Sequence, residues 1–276
     1  MTDLLERPST EPAPNAPSRR ARRAWLIPGA ILALASLGWG TLNVLGLVAH
    51  GQYSTTSTFE TGDVSSLQID NDTGTITVIG TDVRTAGDAI VITAKVSDGW
   101  RSTDVSSEVV DGVLRVHGDC PFLGSPWCNV EVTVSLPSDR PVLARASNGS
   151  IRIRGVAAPL DVSVGNGSID LDDVGAPMEL SSDNGRITGR RLTSAAVVAS
   201  TDNGAVELSF LDPPRSVVAR SSNGRIELVL PDDVAYRVDA RSDNGSVDTV
   251  VRTDPASEHV IDARSDNGSV TVRLPG

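Results

Sequence analysis

Four aspartates, Asp183, Asp202, Asp243 and Asp266, each stand one residue before an Asn-Gly pair. Regularly spaced carboxylates are what a calcium-binding surface needs, because hard cations take oxygen ligands. The glycine-rich GGxGxD nonapeptide of calcium-binding coils is missing, however. Arginine shares the pattern instead: Arg241 lies between Asp239 and Asp243, and Arg264 between Asp262 and Asp266. Stacked arginines would repel one another without those acids. The alternation therefore reads as charge compensation, and no metal site is expected.

Two other residue types could do chemistry. Cys120 and Cys128, in DCPFLGSPWC, are too far apart for a CxxC redox pair, and no two further soft ligands lie near enough for a metal. In an exported domain they are expected to close a disulfide around this loop of Pro and Gly. His50, His117 and His259 stand in unrelated contexts. No acid breaks the repeat pattern as a carboxylate pair in a cleft would require. Neither an enzyme nor a cofactor site is expected.

What positions all these residues is the repeat itself. Its pairs are Asn148-Gly149, Asn166-Gly167, Asn184-Gly185, Asn203-Gly204, Asn223-Gly224, Asn244-Gly245 and Asn267-Gly268, at steps of 18, 18, 19, 20, 21 and 23 residues. A period near 20 marks a solenoid in which each repeat is one coil. Three residues after the Asn come Ile151, Ile169, Ile187, Val206, Ile226, Val247 and Val270. Four before it stand Ala144, Val162, Leu180, Ala199, Ala219, Ala240 and Ala263, and six before it Val142, Leu160, Met178, Val197, Val217, Val238 and Ile261. Spacing by two puts these columns on one face of a strand, with the polar residues between them on the other.

The inward parity changes across each Asn-Gly, so the chain must turn there. Glycine is expected to supply a positive φ, and Asn to bond nearby backbone and its counterparts about 4.8 Å away in the stack. The pairs are thus read as structural turns. Asn148, Asn166, Asn244 and Asn267 also spell N-G-S sequons, but an Asn turned inward in a tight bend is a poor glycan acceptor.

Upstream, residues 1–23 are rich in Pro and polar groups and are expected to be a disordered cytoplasmic tail. Residues 24–49 carry no charge, long enough for a transmembrane helix with some tilt. A cleaved signal peptide ending near Ala49 and a buried soluble helix are the alternatives. Arg19, Arg20, Arg22 and Arg23 keep the N-terminus inside, so the expected localisation is a single-pass cell-membrane anchor with the C-terminal domain extracytoplasmic. Five of the 24 basic and three of the 35 acidic groups lie in residues 1–23, leaving a net charge of −13 on the remainder. Such a domain is a poor partner for nucleic acid and for anionic lipid headgroups.

Residues 50–59 read as a juxtamembrane linker, 60–140 as an N-terminal β section holding the disulfide loop, and 141–276 as the solenoid repeats. SLQIDNDTGTITVIG resembles a divergent coil, with Asp72-Thr-Gly74 in place of Asn-Gly. The longer strands after it are expected to form the first section of the stack or its cap. VTVRLPG carries no cap, so its edge is the one expected to be open. The fold class is therefore all-β, a parallel β-helix or β-solenoid with coils of about 20 residues behind a tail and one transmembrane helix.

This layout resembles the putative-adhesin family of unknown function, whose members carry NG-x-[IV] strand repeats. The matching segments are SNGSIRI, GNGSIDL, SSNGRIEL and SDNGSVTV, with CPFLGSPWCNVEVTVSLP ahead of them. The resemblance covers roughly residues 60–276 and implies a bacterial envelope protein. Near-total use of Arg over Lys, with Lys95 the only lysine, fits a GC-rich bacterium. Three functions are open: an adhesin-like binding or structural module for a glycan, the cell wall or an envelope protein; an envelope sensor or regulator acting through a partner protein; and, less favoured, a carbohydrate-active enzyme.

Overall fold

Period-two alternation forces each repeat into strands that bury one face, and with no partner sheet available those faces can only close on one another around a narrow axis. The computed structural model describes residues 32–34, 36, 51–82, 89–98, 105–120 and 128–276. Two compact units divide the chain after Val48. Of the first, residues 32–34 and 36 are described and helical. Among the described residues no helix is long and apolar enough to cross a membrane. The tail at 1–23 and nearly all of the expected span at 24–49 lie outside them.

The second unit is all-β. Its first strands are β1 (Gly51–Glu60), β2 (Ser66–Thr81), β3 (Ala89–Asp98), β4 (Val105–Val110), β5 (Val113–Gly118) and β6 (Asn129–Pro137). The regular coils follow: β7 (Val142–Arg154), β8 (Leu160–Asn166) with β9 (Ile169–Asp172), β10 (Met178–Asn184) with β11 (Ile187–Leu192), β12 (Ala196–Asn203) with β13 (Val206–Phe210), and β14 (Ser216–Asn223) with β15 (Ile226–Val229). The last two coils are β16 (Arg237–Asn244) with β17 (Val247–Val250), and β18 (Val260–Asn267) with β19 (Val270–Arg273).

From β7 to β15 each coil lies parallel on the previous one, Asn opposite Asn: Asn148 to Asn166, Asn166 to Asn184, Asn184 to Asn203 and Asn203 to Asn223. The three apolar columns fill the interior, and Ile151, Ile169, Ile187, Val206 and Ile226 are fully buried. A short third side closes each coil. Val156, Val174 and Leu192 point inward from it, and Gly175 N–H donates to Val156 O and Thr193 N–H to Val174 O.

Both ends depart from chain order. At the far end β18 and β19 insert between β14/β15 and β16/β17, so the sixth coil in sequence is the last in the stack. This corrects the expectation that the VTVRLPG edge is open: Val270 and Val272 are fully buried, whereas Val247 and Val250 of the outer coil are 45% and 56% exposed. Tyr236 seals the crossover. It is fully buried, its hydroxyl donates to Pro231 O at 2.8 Å, and its ring meets that of His259 edge-on at 6.0 Å. His259 Nδ1 lies 2.8 Å from Pro214 O and so carries the donated proton.

At the near end β2 sits between β7 and an outer coil made of β5 and β6, and antiparallel strands cover that coil, β4 beside β5 and β3 then β1 beside β6. The stretch 50–59, read as a linker, therefore falls almost wholly in a strand, Gly51–Glu60. Its Thr, Tyr and Phe residues favour extended backbone, and β3 offers a full edge to pair with.

Candidate functional site

Two surfaces of the coil stack could recognise something: the corner formed by the Asn-Gly pairs, and the outer face of the strands leading into it. Each Asn side chain is exposed on the outside of the corner. The expectation of an inward Asn is thus corrected. The amides form a continuous ladder in which Nδ2 of one donates to Oδ1 of the next: Asn166 to Asn148 at 3.1 Å, Asn184 to Asn166 at 3.1 Å, Asn203 to Asn184 at 2.9 Å and Asn223 to Asn203 at 3.0 Å. Asn267 then donates to Asn223 and Asn244 to Asn267, each at 3.1 Å, following the transposed coil order. Of the four sequon residues, Asn166, Asn244 and Asn267 commit Nδ2, the atom to which a glycan would attach, to a neighbouring amide.

The glycines are needed for a reason that differs along the stack. Gly149, Gly167 and Gly268 have φ of 141°, 149° and 158°, but Gly185, Gly204, Gly224 and Gly245 do not adopt a positive φ in the glycine-favoured range. What they share is proximity, since a Cβ on Gly224 would overlap the Gly204 carbonyl, and likewise Gly204 on Gly185 and Gly185 on Gly167. Stacked backbone, not φ, excludes a side chain there. The first pair does not even interrupt its strand, because β7 runs through Asn148 and Gly149.

The column two before the Asn was not singled out from sequence, and it completes the corner. Its hydroxyls are turned inward and donate to the glycine carbonyl one coil away: Thr201 to Gly185 at 3.1 Å, Ser221 to Gly204 at 3.0 Å, Ser265 to Gly224 at 2.8 Å and Ser242 to Gly268 at 2.7 Å. Asn71 does the same in the divergent coil, donating to Val130 O at 3.0 Å. The signal was available: a polar residue at an inward parity must have a fixed partner.

On the outer face the stack order turns the column three before the Asn into Arg145, Ser163, Ser181, Ser200, Arg220, Arg264 and Arg241. Arginines pair with acids of the adjacent coil. Arg220 grips Asp262 through both terminal nitrogens at 3.2 and 2.7 Å, Arg264 reaches Asp243 at 3.3 Å, and Arg273 reaches Glu227 at 2.9 Å. Hydrogen bonding to Asp262 raises the pKa of Arg220 further. Exposed pairs of this kind are worth only about 0–1 kcal/mol each, so they organise the surface more than they stabilise it. A shallow groove of about 370 Å³ runs between coils past Ser200, Asp202, Arg220, Ser222, Arg264 and Asp266. A second, of about 530 Å³, passes Asp70, Asp72, Arg145, Ser147, Asn148 and Asn166.

The expected disulfide is present: Cys120 and Cys128 are bonded, with Cα atoms 5.8 Å apart. Its location is informative. Gly118 pairs with Asn71 and Val130 with Gly74, while Thr73 and Gly74 pair with Asn148 and Gly149. Cys120 and Cys128 therefore join the two strands at the position that Asn-Gly takes elsewhere. Beside it, a hydrogen bond to Asp119, then burial and the charge of Asp119, raise the Asp72 carboxyl above its usual range.

No protein-family profile matches the chain, and no curated protein matches its sequence. Several solved structures are similar in shape. One is a putative cell adhesion protein from Clostridium sporogenes, at 13% identity and TM-score 0.39, covering 82% of this chain and 100% of that one. A putative adhesin from Parabacteroides merdae is similar at 13% identity and TM-score 0.42, with 79% and 95% covered. A putative lipid binding protein from Parabacteroides distasonis is similar at 9% identity and TM-score 0.31, with 81% and 97% covered. Likeness this distant assigns no family, ligand or activity.

Proposed function

We propose that the chain is a membrane-tethered, extracytoplasmic β-solenoid that serves as a binding or structural module, with the outer face before the Asn-Gly corner as its recognition surface. The observation that carries this reading is the repetition of that face. Hydroxyls, carboxylates and guanidinium groups recur at the coil spacing and line shallow grooves. A polymer with regular hydroxyl groups would meet the same donors and acceptors several times, so that weak contacts add through multivalency. A net charge of −13 on residues 24–276 favours neutral or cationic polymers over polyanions. Glycans and the cell wall fit that description best. The uncharged run at 24–49 behind four arginines supports the tether and the N-inside orientation. The protein is read as a non-enzyme without a cofactor.

Two experiments test the proposal. Purified protein applied to glycan and cell-wall arrays should bind neutral polymers, and Arg220→Ala with Arg264→Ala should weaken that binding without changing the melting curve. Absence of binding to any polymer, or binding untouched by both changes, would remove this surface from consideration. Protease added to spheroplasts should degrade the C-terminal unit, and full protection would overturn the orientation.

A further inference from the structure

The outermost coil of the far end is an unfinished piece of sheet. β16 pairs on one edge with β18, and among the described residues no strand lies along its other edge. Its core-type residues are correspondingly uncovered: Val238 and Ala240 are half-buried, where their counterparts Ile261 and Ala263 are fully buried. Val247 and Val250 stand exposed beside them. No proline blunts this edge.

We infer that this edge is a two-fold interface, in which β16 pairs antiparallel with β16 of a second copy and Ala240 faces Ala240. Charge sets both the partner and the register. The exposed charged residues of β16 are Arg237, Asp239, Arg241 and Asp243, with Asn244 exposed at its end. Reflection about Ala240 places Arg237 opposite Asp243 and Asp239 opposite Arg241, so symmetry yields four cross-strand pairs of opposite sign. Directly opposed unlike charges favour an antiparallel register and like charges oppose it. Centring the pair on Asp239 instead sets Asp239 against itself and Arg237 against Arg241. Centring it on Arg241 sets Arg241 against itself and Asp239 against Asp243. Only the Ala240 centre pairs all four charged residues of the strand with an opposite charge. Within one chain Arg241 turns back onto Asp239 at 2.8 Å, and both side chains remain more than half exposed, so both can be shared across the axis. The near end offers no equivalent, since β1 has the near-neutral sequence GQYSTTSTFE. The interface is isologous and closes at two copies, leaving the outer faces free.

Sedimentation of the purified full-length chain in mild detergent tests this. Wild type should sediment as a dimer at micromolar concentration. Arg241→Asp and Asp239→Arg should each shift it to monomer with an unchanged melting temperature, and the double exchange should restore the dimer. As a second readout, Ala240→Cys should give a covalent dimer on oxidation, because opposed antiparallel residues lie within disulfide range. A monomeric wild type, single variants that stay dimeric, or a double exchange that stays monomeric would each overturn the proposal, as would an Ala240→Cys protein that does not cross-link.

Discussion

The coil of β14 and β15 and the coil of β16 and β17 carry the same columns of residue types, yet one is core and the other is rim. Val217, Ala219 and Ile226 are fully buried, while Val238 and Ala240 are half-buried and Val247 is exposed. Residue type thus determines which way a side chain points, and position in the stack determines whether anything covers it. One column shows why these coils are ordered as they are. Five after the Asn, the inward residue is Leu228 in one coil and Val272 in the inserted coil, but Thr249 in the outer one. Placing Val272 inside and Thr249 at the rim buries apolar surface, worth about 25 cal/mol per Å², and leaves the threonine hydroxyl in water.

The widest separation between the two regions should come from charging the same column in each. Ile226→Asp buries a carboxylate with no partner and should cost several kcal/mol. Val247→Asp, at the exposed rim, should cost under about 1 kcal/mol. Chemical denaturation of the two variants measures both, and equal losses would mean that the rim is covered.

Glycines give a similar contrast. Gly224→Ala must force the stacked backbone apart and should cost about 1–3 kcal/mol or more. Gly62→Ala, with nothing near its would-be Cβ, should be close to neutral. Reducing the bond between Cys120 and Cys128 should lower stability by about 2–3 kcal/mol, as expected for so short a closed loop. Near-identical melting of oxidised and reduced protein would show that the bond does not brace the strands it joins.

An effect of similar order is expected in alkali at the far crossover. Burial pushes the Tyr236 phenol from 10.0 up to about 12. Its neutral form is therefore favoured by folding. That contribution is fully present below pH 10 and is lost as the pH rises towards 12. Tyr236→Phe should flatten this part of the stability profile.

The smallest effect belongs to the amide ladder. Asn223→Ala breaks two exposed side-chain bonds and should cost about 1 kcal/mol. Asn244→Ala, at the open end, breaks the single bond to Asn267 and should cost roughly half as much.

Sequence reading reached the parallel coils, the inward columns and the disulfide because each depends on local alternation or on spacing within one repeat. It could not rank the stacking order, since adjacent coils offer one another near-identical columns and these two differ inward at few positions, Val238 against Ile261 and Thr249 against Val272. It placed the need for Gly224 in φ, when the cause is the Gly204 carbonyl one coil away, a neighbour 20 residues off. It also passed over Ser221 and Ser265, whose inward hydroxyls make sense only once a carbonyl in the next coil is in view. Residues 50–59 looked like a linker because the partner of β1, β3, lies some 40 residues downstream. The outer polar face was legible as alternating Ser, Asp and Arg, but which Arg meets which Asp follows from the transposed order.

That order is the claim on which the open edge of β16 depends, and paired cysteines test it most directly. Arg220 and Arg264 lie on adjacent coils in matching register, whereas Arg241 lies one coil beyond Arg264. Neighbouring strands are about 4.8 Å apart, so the first pair is within disulfide range and a two-coil separation is not. Arg220→Cys with Arg264→Cys should close an intramolecular bond under mild oxidation, and Arg220→Cys with Arg241→Cys should stay open. Closure of the second pair with the first left reduced would mean that the coils stack in chain order, contradicting the account.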